Sequence, residues 1–200
     1  MNEELWNKGF EGKKLSTDWT SRAFVTWVEH LAHLRDRPLR ILEIGAWEGR
    51  STIFFLRFFP TSVITRVDLF TLGNEPAFDA NVAEFGDRIV KIASTSRSLL
   101  AKMCDAKVEQ FDLIYVDGSH DRDDVMIDTL LAWRLLSVNG IMIWDDYDID
   151  RYMPELTTDG VPKSAINTFR EWHADEIDTL DVGYQIIDRK TKLHFGADHA

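Results

Sequence analysis

Two apolar runs end in groups that could do chemistry. Phe111–Asp117 leads into Gly118-Ser119-His120, and Gly140–Asp145 leads into Asp146-Tyr147. If the runs are neighbouring strands, Asp117, Asp145 and Asp146 crowd one rim. Clustered carboxylates beside apolar sequence are costly unless a cation neutralises them or they take up protons. Oxygen-only ligands suit a hard divalent ion such as Mg²⁺. His120, three residues past Asp117, is placed to be a ligand or a general base. The plain alternative is a surface loop histidine. Asp121, Asp123 and Asp124 read instead as favourable charge on the first turn of the next helix.

A third apolar run, Leu39–Ile44, ends in Gly45-Ala46-Trp47-Glu48-Gly49. Gly45 permits a tight turn and close backbone approach to a ligand, and the helix that follows offers free N–H groups. The pattern is not the G-x-G-x-x-G of dinucleotide folds: a bulky Trp47 follows Ala46, and Glu48 suits a pyrophosphate poorly. Asp68 follows Glu43 by 25 residues, at the end of the next apolar run. A carboxylate there can accept both hydroxyls of a ribose, or simply cap the strand. Ser94, Thr95 and Ser96 could line an adenine or ribose, and they are also natural helix caps.

These residues need elements to hold them. Apolar spacing predicts helices over Ser16–Leu34, Arg50–Phe59, a short one ending at Phe85, Ser96–Met103, Asp123–Leu136 and Pro162–Trp172. Short apolar or β-branched runs predict strands at Leu39–Ile44, Ser62–Leu69, Arg88–Ile92, Phe111–Asp117 and Gly140–Asp145. Further strands are expected at Ile177–Asp181, at Tyr184–Asp188 and around Leu193. The alternation implies an α/β fold with a mostly parallel sheet, helices on both faces and an antiparallel ending. In such sheets ligands bind outside the carboxyl ends of the strands. Residues 1–15 read as an N-terminal arm and residues 16–200 as one domain.

Composition narrows the partners. The 200 residues hold 23 Lys+Arg against 34 Asp+Glu, a net charge of -11. That excess argues against nucleic acid, whose phosphates need basic residues, and against an anionic membrane surface. One cysteine, Cys104, excludes a disulfide scaffold. Met1–Phe10 does not read as a signal peptide, so a cytoplasmic protein is expected.

The segment Ile41-Leu42-Glu43-Ile44-Gly45-Ala46-Trp47-Glu48-Gly49-Arg50-Ser51-Thr52 resembles the first motif of class I S-adenosylmethionine-dependent methyltransferases. It is most similar to their small, metal-dependent O-methyltransferase-like group. Phe111–His120 resembles that group's FDLIFIDGDH strand, and Ser137–Tyr147 its LKPGGVIVFDDY segment. Val161–Ala165 and Val182–Gln185 resemble its later helix start and a C-terminal strand. The resemblance implies a Rossmann-like sheet of seven strands in the order 3-2-1-4-5-7-6, with strand 7 antiparallel. It implies S-adenosylmethionine as cofactor, bound by Glu43, Gly45, Ala46, Trp47 and Ser51, by Asp68 and Leu69, by Ser94, Thr95 and Ser96, and by Asp117. It implies a divalent metal on Asp117, Asp145 and Asp146, with His120 as general base and Asp117 beside it in catalysis. The acceptor would be a small hydroxylated molecule, and a homodimer is compatible with the group. Ser94, Ser119 and Asn139 depart from the group's usual residues.

Trp47, Trp144, Tyr147 and Tyr152 flank the expected site, whereas Trp6, Trp19, Trp27, Trp133 and Trp172 read as core. Asp148–Gly160 is long enough for a lid. Three other functions use similar features: a silent cofactor-binding module, a metal-dependent hydrolase and a nicotinamide-dependent oxidoreductase. The carboxylate set disfavours the first, and the Gly45/Gly49 spacing disfavours the last.

Overall fold

The computed structural model describes residues 9–108, 110–153 and 161–193. Seven strands form one sheet in the order 3-2-1-4-5-7-6. β1 (Arg40–Ile44), β2 (Val63–Asp68) and β3 (Ile89–Ala93) pair in parallel, as do β4 (Phe111–Val116) and β5 (Leu136–Trp144). β6 (Ile177–Val182) and β7 (Ile186–Lys190) pair antiparallel, and β7 runs antiparallel to β5. The chain divides into two compact units, Met1–Ser94 and Thr95–Ala200.

In the first unit, α1 (Phe24–Leu31) lies between 3₁₀ turns at Ser21–Ala23 and Ala32–Leu34. Helix therefore starts at Ser21 and not at Ser16. Asp18 stops it by accepting the Ser21 N–H at 2.9 Å. α1 packs on α2 (Arg50–Phe58) through aromatics. Phe24 stacks on Phe54 with centroids 4.3 Å apart, and Trp27 on Phe55 at 4.7 Å. Each such ring contributes roughly 1.5–3 kcal/mol by leaving water. α3 (Glu75–Val82) brings Phe78 and Val82 against Ala46, Ile53 and Phe70.

Gly49 opens α2 with φ +90°, and a Cβ there would stand 3.0 Å from Val82 Cγ1 and 3.1 Å from Phe78 Cδ2. Gly49→Ala combines a strained dihedral with overpacking and should cost about 1–3 kcal/mol. Urea unfolding checks this, and an unchanged midpoint would contradict it.

In the second unit, α4 (Ser96–Asp105) precedes β4, and α5 (Arg122–Leu135) runs straight into β5. β5 begins at Leu136, before the expected Gly140. Leu136 pairs with Phe111, after which the register shifts and Asn139 takes φ +66°. Asp121 caps α5 by accepting from Asp123 and Asp124 N–H, so these acidic residues serve the helix start as expected. α6 (Pro162–Trp172) starts on its proline and buries Ala165, Ile166 and Phe169.

Several expectations need correction. Trp144 is fully buried and donates its Nε1–H to Thr129 at 3.0 Å, so it lines no open site. Trp19 and Trp172 are exposed, because each sits outside the buried stripe of its segment; Trp27 and Trp133 are core. No strand forms at residues 191–193. Residues 1–8 of the arm with Trp6, residues 154–160 of the expected lid, and His194 and His199 lie outside the described residues. No helix among the described residues is long and apolar enough to cross a membrane.

Candidate active site

The first unit builds a loop at the end of β1. Gly45 N–H donates to Val67 O at 2.8 Å, and Gly49 N–H to Ala46 O at 2.7 Å, closing the turn. Asp68 organises it from the end of β2. Its Oδ2 accepts the Ala46 and Trp47 N–H groups at 3.0 and 3.2 Å, and its Oδ1 accepts the Phe70 N–H at 2.8 Å. Trp47 (φ +46°) and Phe70 (φ +54°) are non-glycine residues in the left-handed region. Such conformations are held at a cost and cluster at functional loops. Asn74 helps by donating to Trp47 O at 2.8 Å. The Asp68 side chain stays 17% exposed, so one of its remaining lone pairs is within reach of a ligand. Leu69 is exposed beside it.

Glu43 and Ser51 brace this loop from beneath. Glu43 is fully buried and accepts hydrogen bonds from Ser51 Oγ, at 2.5 Å, and from Thr52 Oγ1. Burial pushes the Glu43 carboxyl up to about 7 from 4.5, against the opposing Arg66 charge and the two hydroxyl bonds. The folded protein thus holds a proton on Glu43 between those values, where the unfolded chain has released it. Its contribution to stability must weaken as pH rises through that window. Glu43→Gln removes the dependence. Wild type should lose stability relative to the variant between about pH 4.5 and pH 7. Thermal melting of both proteins checks this, and a constant difference across the window would contradict it.

The arm is tied to the same loop. Ser16 N–H donates to Glu48 Oε2 at 2.5 Å, and Asn81 bonds both Lys14 and Glu48 O. Arg50 donates to Thr17 O and Ser21 Oγ, each at 3.2 Å, and Trp19 rests on Trp47 at 5.8 Å. Glu48, which the sequence marked only as unsuited to a pyrophosphate, is the anchor for this segment. In the serine-rich turn, Ser94 N–H donates to Asp68 O at 3.2 Å.

In the second unit, Thr95 caps α4 by accepting the Ser98 N–H, and Ser96 hydrogen-bonds Asp128. The acidic residues gather at the ends of β4 and β5. Asp145 N–H donates to Val116 O at 2.9 Å, which fixes the two strand ends together. Tyr115, fully buried in β4, donates to Asp145 and lies 3.1 Å from Asp117 Oδ2. Gln185 donates to Asp145 Oδ1 at 2.9 Å, and Tyr184 to Asp146 Oδ1 at 2.5 Å. Asp146 itself takes φ +55°. Its Oδ2 lies 2.7 Å from His120 Nε2, and this pairing raises the imidazole's affinity for a proton.

Burial, then the charge of Asp146, pushes Asp145 up to about 6 from 3.8. Burial and the neighbouring carboxylates drive Tyr115 well upward, so it stays a donor. Asp117, His120 and Asp146 turn ligand atoms to within 4.8 Å of one another. Asp145 points instead at Tyr115 and Gln185. Asp117, His120 and Asp146 are thus the groups that could hold a metal ion, and His120 stands among them where the sequence expected Asp145.

Sequence reasoning gave no role to Tyr115, Tyr184, Gln185 or Asn74. The signal for Tyr115 was a lone hydroxyl inside the apolar run Leu113–Val116.

Residues 42–147 match the Methyltransferase domain family, a span that carries both sets of residues. The chain belongs to that family. The O-methyltransferase hkm8 of Aspergillus hancockii is 31% identical over 134 residues, 63% of this chain and 49% of that protein. Among solved structures, the MycE methyltransferase of the mycinamycin biosynthetic pathway, in complex with Mg and S-adenosylhomocysteine, superposes with TM-score 0.69. Its identity is 18%, with 94% of this chain and 54% of that one covered. The O-methyltransferase from Bacillus cereus, in complex with S-adenosylhomocysteine, gives TM-score 0.69 at 19% identity, covering 95% and 90%. The methyltransferase domain described here thus spans about half the length of hkm8 and MycE. These likenesses agree with the class I methyltransferase fold that the motifs implied.

Proposed function

We propose that the protein is an S-adenosylmethionine-dependent O-methyltransferase acting, with a divalent metal, on a small hydroxylated acceptor such as a sugar, catechol or natural-product diol. The observation that carries this reading is the grouping of Asp117, His120 and Asp146 at the strand ends of a methyltransferase domain. The relative hkm8 and the B. cereus protein are named as O-methyltransferases, and MycE binds Mg and S-adenosylhomocysteine. The family span 42–147 runs through both units, which supports their working as one domain behind the arm.

Gly45, Ala46 and Trp47 offer the cofactor their backbone, Asp68 its free lone pair and Leu69 an apolar surface. Glu43 and Ser51 hold that loop in shape, and Ser94, Thr95 and Ser96 form the adenine-side turn. Asp117 and Asp146 would hold the ion, with Asp145 completing the set and His120 left free as the base. Mg²⁺ suits such oxygen donors.

S-adenosylmethionine supplies an activated methyl group, and a bound cation lowers the pKa of an acceptor hydroxyl. The chain's own part is proton transfer and positioning. With Nε2–H donated to Asp146, His120 presents Nδ1 to take the hydroxyl proton. Asp117 stands beside it. Tyr152, exposed and 5.4 Å from the Tyr184 ring, offers an aromatic surface for a ring or sugar face.

The acidic surface is consistent with a cytoplasmic protein that avoids nucleic acid and membranes, as monomer or homodimer. Calorimetric titration with S-adenosylhomocysteine and with NADH tests the cofactor. Binding of the first alone is expected; binding of NADH alone would overturn the reading.

A further inference from the structure

Arg66 lies in the middle of β2, fully buried, and none of its guanidinium nitrogens has a hydrogen-bond partner among the described residues. A buried cation without hydrogen bonds is rare, because desolvation is not repaid by donors left idle. The group is held by rings instead. Its Cζ sits 3.9 Å from the Phe78 centroid and 4.4 Å from that of Phe70.

Four carboxylates face it: Glu43 on β1, Asp68 on β2, and Glu75 and Asp79 on α3. Lys91 pairs with Glu75 and Asp79 at 2.8 and 2.5 Å. Glu43 is occupied by Ser51 and Thr52. Asp68, itself bonded by three backbone amides, approaches the guanidinium directly, with Oδ2 3.5 Å from Arg66 Nη2.

The contacts close a circuit. Asp68 holds the Phe70 backbone, the Phe70 ring clamps Arg66, and Arg66 faces the Asp68 oxygen that holds the Ala46 and Trp47 amides. We propose that Arg66 is a positioning residue for the cofactor: seated against the Phe70 and Phe78 rings, it orients the Asp68 carboxylate and, through it, the Ala46–Trp47 turn. The inference rests on the cofactor reading above and adds to it a residue that touches no ligand.

The test is calorimetric titration with S-adenosylhomocysteine of wild type, Arg66→Met, Arg66→Lys, Asp68→Asn and the Arg66→Met/Asp68→Asn pair. Arg66→Met should weaken binding about tenfold or more, the order of a lost supporting contact at a ligand site. Arg66→Lys keeps the charge but loses the planar group that the rings clamp, so its loss should be intermediate. In steady-state kinetics the loss should fall on KM for S-adenosylmethionine, with kcat little changed. In the Asp68→Asn background, Arg66→Met should add nothing.

Equal affinity in wild type and a folded Arg66 variant would overturn the proposal, as would the full loss persisting without Asp68. Should Arg66→Met fail to fold, Arg66→Lys decides by the same comparison. A purely structural role would lower the melting temperature and leave the affinity unmoved. Absence of binding by wild type would instead overturn the cofactor reading itself.

Discussion

His120→Ala should lower kcat for methyl transfer by roughly 10²–10⁴-fold, the range for removal of a positioned general base. The side chain is the one proton acceptor at the β4–β5 strand ends that is both half exposed and oriented by a carboxylate, with Nε2 at 2.7 Å from Asp146. Two neighbouring titratable groups are already engaged. Tyr115 is a committed donor, and Asp145 is bonded by Tyr115 and Gln185. Affinity for S-adenosylhomocysteine should survive the substitution, because the loop groups proposed to bind it do not include His120. Stopped-time assays under saturating cofactor check the rate. A kcat within a few-fold of wild type would remove His120 from the chemistry.

Asp146→Asn should be at least as damaging, by roughly 10²-fold or more. The substitution removes a carboxylate oxygen proposed to hold the metal and, in one move, the charge that steadies the imidazole. It also alters a residue held at φ +55° by Tyr184. Asparagine tolerates that dihedral, so the fold should persist. An independent sign accompanies the loss of rate. Asp146 raises the proton affinity of His120 above the ordinary 6.5, chiefly through their hydrogen bond. In metal-free protein the His120 ring signals should titrate at lower pH in the variant than in wild type. A titration that does not move would contradict the pairing, whatever happens to the rate.

The strand-end chemistry was largely legible because it is local. Apolar runs closed by Asp117, by Asp145-Asp146 and by Gly45 announce strand ends, and in a parallel sheet such ends collect. The sheet order came with the motif resemblance and is what the structure shows. What the sequence left hidden depends on partners distant in the chain. Asp68 and the Ala46 N–H are 22 residues apart, and Asp145 and Gln185 are 40 apart. Nothing local says that Asp145 turns to Tyr115 while His120 turns to Asp146. Trp144 misled for the opposite reason: it adjoins Asp145, but the end of β5 is buried on both faces, so its ring packs in the core. Arg66 was invisible as well, since a charged residue inside a strand reads as a solvated face until Phe70 and Phe78 are seen to cover it.

Methyl transfer by the wild-type chain tests the central claim most directly. The protein is incubated with methyl-labelled S-adenosylmethionine and a panel of catechols, sugars and natural-product diols, with Mg²⁺ or Mn²⁺ and then with EDTA. Label should appear on a hydroxyl oxygen of at least one acceptor, stop on chelation and return when the metal is restored. Tight binding of S-adenosylhomocysteine with no transfer to any acceptor would contradict an enzymatic role, and transfer indifferent to EDTA would contradict the metal.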